Sequence, residues 1–195
     1  MAIHIPRRAI CVALAIFGLW AHLHLWAQTS ISSRPSLERF VQTARLSSQA
    51  RLWAIEFADI AKQPSHPLHT RVEQIQNASD SELLALLVQT FQAVSEEDTN
   101  ELVALLETPL GQWVVQASLW RRTYFAKKQF DPSDFSKSGL RKLSNTEILA
   151  IKAMGNTPSW QAMRRAGDES IIGSELITAL DWPRFEDLML DRSQP

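Results

Sequence analysis

Three small groups of side chains in this 195-residue chain have the residue types and the spacing that chemistry asks for. Glu97 and Glu101 stand four positions apart. On a helix that puts two carboxylates on one face, the arrangement that acid and base steps on a glycan use. His66 and His69, on either side of Pro67 and Leu68, carry the imidazoles that bind divalent metals. Trp113, Ala117, Trp120 and Tyr124 recur at intervals of four, three and four, with Arg121, Arg122, Lys127 and Lys128 crowded beside them. Such a stripe could dock an anionic envelope component, a lipid head group, glycan or acidic protein, through ring area and positive charge.

Each group also has a plainer explanation. The two acids fall in the opening turns of a helix, where carboxylates complement the helix dipole whatever else they do. A metal centre needs further ligands, and no cluster supplies them at a recognisable spacing, so the histidines are expected in a surface loop and neither metal nor cofactor is expected. Aromatic residues at helical spacing most often line a core, with neighbouring cations solvated or snorkelling, and that reading outweighs the docking one. A phosphate-cradling glycine loop, a two-histidine zinc helix, a nucleophile elbow and a paired dithiol are all absent from the sequence. No catalytic residue is therefore assigned, and enzyme activity is the weaker expectation.

Position in the cell is suggested by the first 27 residues. Arg7-Arg8 precede the apolar run from Ala9 to Ala27, and the chain turns polar at Gln28, the layout of a secretory signal peptide. An uncleaved membrane anchor is the alternative, because residues 9–27 approach the length that spans a bilayer and carry their arginines on the cytoplasmic side. His22 and His24 weigh against it. Cys11 is the single cysteine and falls inside this segment, so thiol catalysis and a disulfide framework drop out once the segment is removed. Cleavage also removes two arginines and no acid, taking 20 basic and 21 acidic residues to 18 and 21. That balance does not suit nucleic-acid binding. The expected location is periplasmic or secreted, with an inner-membrane anchor facing the periplasm as the alternative.

What must position these residues is a set of helices. Glycine is sparse, with 6 in the chain, and strand-type alternation of Val, Ile and Tyr is missing. One helix is expected from about Ser36 to Lys62, ended by Pro64 and Pro67, and a short one around Thr70 to Gln76. Ser79-Asp80-Ser81-Glu82, Ser95-Glu96-Glu97-Asp98 and Ser144-Asn145-Thr146-Glu147 are three helix starts, a capping serine followed three residues on by an acid. Residues 95–117 match residues 144–166 without a gap at an offset of 49: Ser95 with Ser144, Ala104 with Ala153, Thr108-Pro109 with Thr157-Pro158, Gln112 with Gln161 and Ala117 with Ala166. Each unit reads as a helix, a corner at Thr-Pro, and a second helix whose first turn tolerates proline. Thr108, Pro109, Gly111, Thr157 and Pro158 are the expected corner residues. Residues 130–143 form the expected main loop, and two short helices, Ser170 to Leu180 and Arg184 to Leu190, close the chain.

The run Glu101-Leu102 to Thr108-Pro109-Leu110-Gly111 resembles the signature of a bacterial family of exported helical proteins, domain of unknown function 2059. In that family an acid-leucine start and an aromatic pair precede serine or threonine, proline, any residue and glycine. Here Leu105-Leu106 stands in place of the aromatic pair, and the degenerate second copy at residues 150–160 has Trp160 in place of the glycine. The resemblance covers roughly residues 80–125. It implies export and an all-helical fold, and brings no activity. The combined expectation is an all-α, single-domain bundle of short helices over residues 28–195. It would act as a non-catalytic module binding an envelope protein, glycan or lipid. An envelope-polymer hydrolase or lyase, and an anchored scaffold held by residues 9–27, are the alternatives.

Overall fold

Three serines open helices where the sequence places them. Ser79 and Ser144 each accept the backbone N–H of an acid three residues on, while Glu82 and Glu147 reach back to the serine backbone, a reciprocal pair that satisfies two otherwise orphaned amides. Ser95 accepts from Asp98 N–H at 3.0 Å, and the shorter aspartate receives the Ser95 hydroxyl instead of the backbone. In this computed structural model, which describes residues 34–126 and 138–168 with Gly173 and Leu176, the described residues form helices and no strand. The helices are α1 (Pro35–Thr43), α2 (Leu46–Phe57), a 3₁₀ turn (Ile60–Lys62), α3 (His69–Asn77), α4 (Asp80–Thr90), α5 (Glu96–Glu107), α6 (Pro109–Ala126), α7 (Asn145–Gly155) and α8 (Pro158–Asp168). Pro35, Pro109 and Pro158 each occupy the first position of a helix, where no intrahelical amide is lost. The chain divides into Met1–Arg34 and Pro35–Pro195, and all these helices belong to the second unit. The expected signal segment, most of the expected 130–143 loop and, apart from Gly173 and Leu176, the two expected terminal helices lie outside the described residues.

One expectation is corrected. The helix foreseen from Ser36 to Lys62 is broken at Ala44 and Arg45, where Arg45 adopts the left-handed conformation (φ 51°, ψ 38°) without a glycine or proline to announce it. Tertiary contacts hold the break. Gln49, fully buried, donates through Nε2 to the Ala44 carbonyl at 2.9 Å, and its Oε1 accepts Ser118 Oγ–H at 3.1 Å from α6.

The broken pair α1–α2 lies along the second bent pair, α5–α6, with α1 on α5 and α2 on α6. Three links join them: Arg39 forks onto Glu107, Ser118 meets Gln49, and Arg122 pairs with Glu56. Their sequence separations are 68, 69 and 66, nearly constant, so the two bent pairs run in the same direction. Phe40 and Phe91 meet edge to face at 5.9 Å, among the buried Leu37, Leu83, Leu87, Leu102 and Leu106. Helix α3 is tied back by Arg51, which donates to the Ala78 carbonyl at 3.1 Å and to Asp80 at 2.7 Å. On the other side of α5 lies α8.

Both Thr-Pro corners are made by one set of hydrogen bonds. Thr108 donates from Oγ1 to the Leu105 carbonyl at 2.6 Å and accepts Gly111 N–H at 3.0 Å, while Gln112 Nε2 donates to the Leu106 carbonyl at 2.7 Å. Forty-nine positions on, Thr157 donates to the Met154 carbonyl at 3.0 Å and accepts Trp160 N–H at 3.3 Å, and Gln161 Nε2 donates to Gly155 at 2.8 Å. Threonine thus ends one helix and caps the next, and glutamine satisfies a carbonyl left over from the first. The corners differ most in size at the position that follows Thr-Pro-x. A Cβ on Gly111 would stand 2.2 Å from the Leu105 carbonyl oxygen and 2.5 Å from Leu106 Cα, so α6 meets the end of α5 at a distance only glycine permits. Trp160 stands at the matching place in the second corner, and there α8 packs far less on α7 than α6 does on α5.

Candidate interaction surface

The aromatic-basic stripe on α6 is turned largely inward. Trp113 is 5% exposed and its indole N–H donates to the Arg141 carbonyl at 3.0 Å, pinning the end of the 130–143 segment to the helix. Ala117 is buried and Trp120 packs half-buried against the core. Arg122, 7% exposed, pairs with Glu56 at 2.9 Å across the α2–α6 interface. Trp113 and Arg122 therefore serve helix packing, and their polar groups are taken up inside the bundle. Arg121 is half-exposed. The Tyr124 side chain, Lys127 and Lys128 lie outside the described residues.

The other two groups come apart in the same way. Glu101 is engaged by the hydroxyl of Ser159, a fully buried side chain in the first turn of α8, and this contact joins α5 to α8. Glu97 remains on the exposed surface one turn away, so the two carboxylates do not face each other across a cleft. His66 Nδ1 accepts Leu68 N–H at 3.2 Å, which leaves that nitrogen without a proton. His69 Nδ1 lies 2.8 Å from the Ala61 carbonyl, so it is the protonated nitrogen there, and Nε2 faces Glu73 at 3.4 Å. His69 thus ties α3 to the 3₁₀ turn, and His66 tightens the loop between them. Among the described residues no group of three or more metal-ligating side chains converges.

Where acids are perturbed, helix starts explain it. The Arg141 guanidinium and the Ser144 backbone N–H hold the Glu147 carboxyl at about 2, and the Ser79 hydroxyl and backbone lower that of Glu82. A hollow of about 390 Å³ opens at the elbow of α3 and α4, lined by Gln74, Asn77, Ala78, Glu82 and Leu86.

Exposed apolar surface is concentrated elsewhere. Leu149 on α7 is 65% exposed, and Ile55 near the end of α2 and Ile60 in the 3₁₀ turn are each 55% exposed. On α7, Leu149 sits with the exposed Ala150 and Ala153, at spacings of one and three, opposite the buried Ile148 and Ile151. An offset of 49 sets Ala150 against Glu101, the point where α8 joins α5. The matching α5 positions, Asn100, Glu101 and Ala104, are exposed as well, and of these Glu101 reaches Ser159 of α8. Little in the sequence marks this face, because Ala150 and Ala153 carry little hydrophobic signal and Leu149 stands between Ile148 and Ile151 in one apolar run. No protein-family model, curated protein or solved structure matches this chain. Among the described residues no helix is long and apolar enough to cross a membrane.

Proposed function

We propose that this chain is an exported, non-catalytic helical module that binds an envelope protein through the outer face of α7. The observation that carries the reading is Leu149, 65% exposed beside the exposed Ala150 and Ala153, with Ala150 standing at the place that Glu101 holds on α5. Two small residues flanking one large apolar one let a partner helix approach closely and seat on the leucine. An amphipathic helix with small or hydroxyl residues on its contact face, as α8 presents through Ser159, is the matching occupant.

Export is supported by the charged start and apolar run of residues 1–27 and by the resemblance at residues 101–111. The mass of the protein recovered from cells separates a cleaved leader from a retained anchor. A polymer hydrolase finds less support, since the Glu101 carboxylate is spent on Ser159 and Glu97 faces open solvent.

Crosslinking in intact cells tests the binding role, comparing the natural chain with Leu149→Glu and Ala153→Glu. Both positions are exposed, so the far-UV circular dichroism and melting temperature should be unchanged. Loss of a specific crosslinked species in both variants is the expected result. A crosslinking pattern identical to that of the natural chain overturns the proposal.

A further inference from the structure

We draw no further inference here: the strongest candidate, the hollow at the α3–α4 elbow, is walled on one side by Glu82, whose carboxylate already caps the first turn of α4, and nothing in the structure shows what would fill it.

Discussion

Replacing Gly111 with alanine tests the packing that the first corner depends on. The added Cβ would meet Leu105 O at 2.2 Å, Leu106 Cα at 2.5 Å and Leu106 C at 2.8 Å, all main-chain atoms that cannot rotate away. Restoring ordinary contact requires α6 to move off α5 by about an ångström. That shift strains the Gly111 N–H bond to Thr108 and the Gln112 bond to Leu106, and loosens the buried layer beneath. Overpacking costs about 1–3 kcal/mol and a weakened hydrogen bond about 1 kcal/mol, while alanine's better helix propensity returns about 1 kcal/mol. The net loss is roughly 1–3 kcal/mol, or a fall of roughly 2–12 °C in melting temperature for a domain of this size. Gly155 is the control: it ends α7 with a negative φ and nothing within 4 Å of its would-be Cβ. Gly155→Ala should therefore raise stability by up to about 1 kcal/mol. Urea and thermal unfolding of the full chain, followed by circular dichroism, measure both. If Gly111→Ala melts with the parent, the close approach of α6 to α5 is not enforced by glycine and the account of the corner fails.

Three further outcomes follow from the geometry. Gln49→Ala removes the bonds from Gln49 to the Ala44 carbonyl and the Ser118 hydroxyl and leaves a gap in the core, and should cost about 2–4 kcal/mol in urea unfolding. A cost below that of a typical surface change would mean the bond to α6 does not hold the break. Arg45→Gly relieves a left-handed residue and should add about 0.5–1 kcal/mol; a loss of stability would show that the Arg45 side chain matters more than its backbone. Glu147 has its carboxyl depressed to about 2 in the folded chain from an ordinary 4.5, so its contribution is complete above about pH 4.5 and is lost as pH falls toward 2. The pair with Arg141 is partly exposed, which limits that contribution to about 1 kcal/mol. Glu147→Gln should flatten the stability profile between pH 4.5 and 2, and an unaltered slope would remove this carboxylate from the acid limb.

What was legible in the sequence is what is local. A serine three residues before an acid carries its own instruction, because the donor and acceptor lie within one turn; Ser79, Ser95 and Ser144 all cap as expected. The Thr-Pro corners are legible for the same reason, since every bond that forms them spans six residues or fewer. The break at Arg45 was not, because the residues that stabilise it include Ser118, 69 positions from Gln49. The partner of Arg122 was hidden for the same reason: its carboxylate lies 66 residues away, and periodicity cannot report a charge it does not contain.

The same distinction bears on which surface is open. Periodicity identifies a helix face that is apolar, and such a face is normally buried; it cannot identify one that the tertiary arrangement leaves uncovered. On α5 Glu101 is tied to α8 because the chain turns back at Thr157 and lays Ser159 against the carboxylate. On α7 the corresponding strip bears Ala150 in place of that acid, with Leu149 beside it, and 65% of the leucine is in water. Replacing a polar contact residue with alanine next to an exposed leucine removes the hydrogen-bonding reason for the strip and leaves an apolar one. A helix seated there would be held by burial and would release with salt-independent affinity, whereas a partner of the basic residues on α6 would weaken as ionic strength rises. Repeating the crosslinking across a range of salt therefore separates the two surfaces: an interaction that persists at high salt and is lost in Leu149→Glu belongs to α7, and one that fades with salt refutes that assignment.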